Sequence, residues 1–143
     1  MIRVITAGFF TTIQDEGRFG FRHLGVPVAG PMDRRAFRLA NALLPFNNDQ
    51  TVLECTLTGP TLEITVALRY VVTGAIVPID LAGQSCGMNQ VHFAPKGSVL
   101  KIGKVKAGVR FYIRFEAIFD FPKYFESTSF NTCLLYTSPS PRD

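Results

Sequence analysis

The chain has 143 residues, 47% apolar and 18% charged, with 13 Phe and no Trp, which fits one globular domain and excludes a disordered tail or a coiled coil. Its net charge of +4, from 15 basic and 11 acidic residues, is spread along the chain and does not form the clustered, aromatic-studded basic face of a nucleic-acid binder. No apolar run reaches the roughly 20 residues a bilayer needs, residues 1–6 do not read as a signal peptide, and Cys55, Cys86 and Cys133 lack metal-ligand spacing, so a cytoplasmic protein with no metal site, no membrane span and no disulfide framework is expected.

In chain order, short β-branched and aromatic runs are punctuated by Gly and Pro about every ten residues. Residues 2–6 and 9–14 predict an opening strand pair hinged at Ala7-Gly8. One helix follows. Gly30-Pro31-Met32-Asp33 places Pro where a first turn has no amide to lose, and an acid near the positive end of the helix dipole. Residues 34–44 then set Phe37, Ala40, Leu43 and Leu44 on one face, until Pro45 stops the helix. Strands return at 52–57 and 62–66 around a turn at Gly59, at 68–73 and 76–81 divided by Gly74, and at 88–93 after the turn Ala82-Gly83-Gln84. The last two are 99–102 and, opened by Gly108, 109–115. The pattern predicts a mainly β fold, a largely closed barrel capped by helix 34–44, because closure removes unpaired strand edges.

Two loops carry most of the polar chemistry. Between Thr11 and Gly20 stand Gln14, Asp15 and Arg18 with Gly17 and Gly20, a set of donors, an acceptor and open backbone that suits an anionic or amide-bearing ligand; the Arg18 fork matches a carboxylate. The plainer alternative is that Asp15 and Arg18 pair with one another and the glycines serve a turn. The second loop, 24–33, is long enough to wall a site; alternatively it is a lead-in whose Gly30, Pro31 and Asp33 only start the helix. His23 offers an acid or base near neutrality, the plainer alternative being a solvated loop histidine, and His92 on a strand reads as structural. Glu54 and Glu63 lie on neighbouring candidate strands, but no nucleophile elbow, HExxH or Walker loop appears.

Residues 133–143, Cys-Leu-Leu-Tyr-Thr-Ser-Pro-Ser-Pro-Arg-Asp, break the pattern. They resemble the in-frame translation of a sequencing-library adapter. The domain is therefore expected to occupy 1–132, with the remainder an artefactual tail.

The string Thr11-Thr12-Ile13-Gln14-Asp15-Glu16-Gly17-Arg18, then Gly25-Val26-Pro27, Gly30-Pro31-Met32-Asp33, Leu39-Ala40-Asn41, Val52-Leu53-Glu54, Leu57-Thr58-Gly59-Pro60 and Thr73-Gly74-Ala75 resembles the N-terminal part of the KipI-antagonist family. That family is also described as the C subunit of 5-oxoprolinase, as allophanate hydrolase subunit 2, and as the biotin-dependent carboxyltransferase domain of urea carboxylase. The similarity runs from about residue 4 to about residue 129. It implies a cyclophilin-like β-barrel, truncated here. It further implies a KipI-like partner, the B subunit of 5-oxoprolinase, together with the A subunit of that enzyme. The activity implied is ATP-dependent opening of the 5-oxoproline lactam to glutamate, with ATP used in the assembled complex. Carboxyl transfer to urea, with biotin on a carrier partner, is the alternative; a non-catalytic KipI-binding regulator is the third. Under the resemblance, Gln14, Asp15, Arg18, Asp33 and Asn41 are the substrate-binding positions for a small amide or lactam, and no catalytic residue is assigned. The chain departs from the family at Leu44-Pro45-Phe46, at Ala117-Ile118 in place of a Gly pair, and at 126–130. A non-glycine residue at 117 would be strained if the pair needs positive φ.

Overall fold

The computed structural model describes residues 2–16 and 30–117. Within them the elements are β1 (Ile2–Thr6), β2 (Phe10–Gln14), α1 (Arg34–Leu43), β3 (Val52–Thr56), β4 (Thr61–Ile64), β5 (Leu68–Ile76), β6 (Ile79–Leu81), β7 (Gln84–Cys86), β8 (His92–Ala94), β9 (Val99–Ile102) and β10 (Ala107–Phe115). The strands form two five-stranded sheets, in the orders β1-β4-β9-β6-β7 and β2-β3-β10-β5-β8, and the pairings are antiparallel.

Alternation along each strand sends one set of side chains inward. Ile2, Leu62, Ile64, Leu100 and Ile102 of the first sheet meet Ile13, Leu53, Cys55, Val72, Phe111, Ile113 and Phe115 of the second in one core. The mainly β architecture with a single outer helix is thus present, rolled as two sheets across a shared interior. Among the described residues no helix is long and apolar enough to cross a membrane.

Where β3 leaves the second sheet for β4 in the first, the chain passes Gly59. A Cβ there would lie 2.5 Å from Ile102 Cγ2 and 2.8 Å from the Phe111 ring. The residue expected in the turn between these strands is also a close-approach point between the sheets, and any side chain would have to push one of them away.

Helix α1 lies on the outer face of the second sheet, over β5 and β10. Asp33 caps it, its Oδ1 accepting from the Ala36 amide at 3.1 Å, so one of the four otherwise unpaired first-turn donors is satisfied. Phe37 and Ala40 are fully buried beneath it. The helix ends at Leu43, one residue before the expected limit. The loop beyond Pro45 then turns through Asn47 and Asn48, at φ 49° and 56°, with the Asp49 amide bonded to the Phe46 carbonyl at 3.0 Å. Two successive residues in the left-handed region suit Asn better than most side chains.

Several expected boundaries move. Gly74 does not divide two strands: it lies inside β5 at φ +101°, and the chain turns later, at Val77-Pro78. Ala82 and Gly83 make their turn, but Gln84 already opens β7, and the strand expected over 88–93 is confined to His92–Ala94. Ala117 is buried and is not among the positive-φ residues, so the strain expected there is absent. Ile118, His23, the segment 126–130 and the tail from Cys133 lie outside the described residues.

Candidate functional site on the outer face of the second sheet

Residues between the inward-facing ones of β2, β3, β10 and β5 point to the side that carries α1. The register sets them in rows: Phe10, Thr56 and Arg110; then Thr12, Glu54, Tyr112 and Thr73; then Gln14 and Val52 alongside Arg114 and Val71. For the buried outer face of a sheet this is unusually polar. Each polar group needs a partner there.

The middle row holds the start of the helix in place. Glu54, 6% exposed, accepts at Oε2 from the Tyr112 hydroxyl at 2.7 Å and from the Met32 amide at 2.8 Å. The Tyr112 oxygen accepts from the Asp33 amide at 2.8 Å, and Thr73 Oγ1 donates to the Ala36 carbonyl at 2.7 Å. Burial, reinforced by the hydrogen bond to Glu54, pushes the Tyr112 phenol well above its ordinary value, so it acts as a neutral donor.

The third row is built around Arg114, which is wholly buried. Its Nε donates to the Leu44 carbonyl at 3.0 Å and its Nη1 to that of Thr51 at 2.9 Å, while Nη2 reaches the carbonyls of Phe46 and Asp49. Burial lowers its pKa and the nearby Asp49 charge opposes that; guanidinium stays protonated under any ordinary condition. The five-donor fork is what lets one side chain gather the 44–51 loop.

Along the first row the sheet opens. The β5–β10 register slips between Ala107 and Phe111. A cleft of about 520 Å³ lies there, lined by Met32 and Asp33 from the start of the helix, by Gly74 and Ile76 of β5, and by Gly108 and Arg110 of β10. Arg110 Nε is buried and has no hydrogen-bond partner.

The sequence-predicted positions are distributed unevenly around this face. Asp33 lines the cleft and caps α1. Gln14 lies in the third row, its Nε2 donating to Thr12 Oγ1 at 3.0 Å and its buried Oε1 without a partner. Asp15 is half-buried just past β2. Asn41 is at the other end of α1, donating to the Phe37 and Gln50 carbonyls at 3.1 and 3.2 Å beside a second hollow of about 340 Å³ that includes Pro45, Phe46 and Asp49. Arg18, Gly17 and Gly20 lie outside the described residues. Gly30, at φ +119°, sits so close to Glu16 that a Cβ would come within 2.9 Å of its carbonyl oxygen. Arg34 Nη1 donates to that same carbonyl at 2.9 Å and pairs with the Glu16 carboxylate at 3.3 Å. The chain leaving β2 therefore touches the start of α1.

Other residues weighed from sequence are placed apart. Glu54 and Glu63 belong to different sheets, and Glu63 pairs with Arg3 at 2.7 Å, so they make no carboxylate pair. His92 Nε2 lies 2.8 Å from the Gly87 carbonyl, and its ring packs 5.6 Å from that of Tyr70. Among the described residues no group of three or more potential metal ligands occurs. Sequence reasoning missed Arg110, Tyr112 and Arg114. Their signal was the alternation Arg-Phe-Tyr-Ile-Arg-Phe over 110–115, with charge on a face that should be apolar.

A family model for the carboxyltransferase domain, subdomain A and B, matches residues 24–137. The urea amidolyase of Saccharomyces cerevisiae is 36% identical over 129 residues, covering 90% of this chain and 7% of that protein. The 5-oxoprolinase C subunit of Haemophilus influenzae is 31% identical over 129 residues, covering 90% of this chain and 42% of the relative. The crystal structure of the Kluyveromyces lactis urea amidolyase superposes with a TM-score of 0.85 at 36% identity, over 90% of this chain and 8% of that one. The chain thus spans less than half the length of these relatives.

Proposed function

The chain belongs to the carboxyltransferase-domain family, and on that premise we propose that it forms the acceptor-binding wall of an enzyme that carboxylates urea. What carries the reading over its alternative is the greater similarity to the fungal urea amidolyases, 36% and 34% identical, than to the bacterial 5-oxoprolinase C subunits, both 31%; the cleft at the start of α1 is the place it assigns to the acceptor. ATP-dependent hydrolysis of 5-oxoproline with the A and B subunits of that enzyme, which the motifs place first, becomes the second reading. Its support is the larger share of those relatives, 42%, that the chain spans.

The cleft does not fit a nucleotide triphosphate, since its lining offers one guanidinium and an opposing carboxylate, Asp33. Its size does suit a ureido ring or a small amide. Biotin, borne by a carrier, would supply the carboxyl group. This chain's own residues would bind and orient the acceptor and exclude water from it, and ATP would be consumed elsewhere in the assembly.

The experiment is turnover by the full-length protein with its partner domains or proteins, given ATP and bicarbonate. Urea-dependent ADP release that needs the biotinylated carrier is the expected result. Glutamate release from 5-oxoproline without urea turnover would establish the second reading. Capture of a KipI-like protein with neither turnover would leave a binding regulator.

A further inference from the structure

We propose that the end of the molecule at which four connections between the two sheets meet is a docking surface for a partner domain that is apolar at its centre and acidic at its rim. The inference goes beyond the functional reading above and stands without it.

The four connections are β1–β2, β3–β4, β5–β6 and β9–β10. Backbone hydrogen bonds tie them into one framework. The Phe9 amide donates to the Thr58 carbonyl at 3.2 Å, the Gly59 amide to that of Gly103 at 3.0 Å, the Gly103 amide to that of Pro78 at 3.0 Å and the Lys106 amide to that of Ile76 at 2.7 Å. Large apolar side chains stand out from this framework. Phe9 is 68% exposed and Ile76 57%, while Phe10, Leu57 and Val109 lie between 41% and 49%. The Leu57 amide donates to the Val109 carbonyl at 3.0 Å, so these last two are immediate neighbours. One exposed apolar side chain is ordinary, but five grouped on one end, two of them phenylalanine, mark an interaction surface.

Charge at this end has one sign. Residues 5–11, 56–61, 74–78 and 103–110 contain Lys104, Lys106 and Arg110 and no Asp or Glu. Both lysines are exposed. Asp33, on the helix side of the neighbouring cleft, is engaged in capping α1. Elsewhere Arg3, Arg34 and Arg69 pair with Glu63, Glu16 and Glu116, and Lys101 stands across the ladder from Asp80. A basic rim around an apolar centre is complemented by carboxylates around an apolar centre. A second copy of the chain fails that requirement, because a two-fold contact would set the same cations against one another. A lipid surface fits less well: basic clusters that hold anionic headgroups have roughly four to eight Lys or Arg, and this end has Lys104, Lys106 and Arg110 alone. Ile76 and Val109 also line the cleft, so a domain seated here would cover its mouth.

Zero-length carbodiimide coupling of the full-length protein in its purified assembly joins a lysine amine only to a carboxylate in contact with it, and mass spectrometry reads the partners. The expected result is that Lys104 or Lys106 couples to an Asp or Glu outside residues 1–143. Phe9→Ser, which leaves both lysines in place, should lower that coupling at least tenfold at an unchanged denaturant midpoint. As a second measurement, Lys104→Glu combined with Lys106→Glu should raise amide exchange over 104–109 at least tenfold while exchange in β3 stays as in the wild type. Coupling confined to carboxylates of residues 1–143, in the same copy or a second one, or no coupling from either lysine, would overturn the proposal. So would binding of the purified protein to phosphatidylserine vesicles that Phe9→Ser abolishes, which would assign the surface to a membrane.

Discussion

The two faces of the second sheet are made by the same strands and could hardly differ more. On the inner face Leu53, Cys55, Phe111, Ile113 and Phe115 pack against apolar residues of the first sheet. On the outer face their immediate neighbours Glu54, Tyr112 and Arg114 are just as buried but spend their contacts on hydrogen bonds to the ends of α1 and the loop behind it. Inner packing is non-directional and holds the sheets together. The outer bonds are directional and specify where the helix starts and where its loop returns, which is what a cleft wall requires.

Substitutions at adjacent residues of β10 should separate these roles. Phe111→Ala removes a fully buried ring from the core and should cost about 3–5 kcal/mol, read as a shift of the denaturant midpoint of the full-length protein, with little change in which loop is exposed first. Arg114→Met should cost roughly 2–4 kcal/mol by leaving four backbone carbonyls without a donor. Here the loss should be local, so amide exchange over 44–51 should rise well before the core opens. Uniform exchange across the sheet would contradict the division.

Tyr112→Phe is expected to cost about 1–2 kcal/mol, since the Asp33 amide and Glu54 lose their shared partner. It also has a pH signature. The phenol's pKa is raised by folding, so its contribution is complete below the ordinary phenol value of about 10 and is lost as pH rises beyond it. The wild type should therefore lose an alkaline increment of stability that Tyr112→Phe lacks. Asp33→Ala comes last, at about 1 kcal/mol for a lost helix cap. Because Asp33 also faces the cleft, the sharper outcome is weaker ligand binding exceeding what the small stability loss explains.

Much of the architecture was readable because its signals are local. Pro31 and Asp33 mark the helix start, Pro45 its end, and β-branched and aromatic runs such as Tyr-Val-Val-Thr at 70–73 their strands. What escaped has identifiable causes. Gln84–Cys86 has no β-branched residue and forms a strand only because Leu81 and Ile79 stand opposite. Gly74 looked like punctuation, yet its positive φ serves a slipped register inside a strand, and register is a long-range property. The same limit hid the site. Glu54 and Tyr112 are 58 residues apart and meet only across a ladder, whereas the sequence draws the eye to Gln14, Asp15 and Arg18, which are neighbours in the chain.

Cys55 sits at the centre of the inner face, wholly buried, and desolvation pushes its thiol up to about 12. At neutral pH it is then nearly all thiol and, being buried, shielded from alkylating reagents, whereas Cys86 is partly exposed to them. The fold thereby contains its own clock: the rate at which Cys55 becomes modifiable measures how often the two sheets part, without any introduced probe.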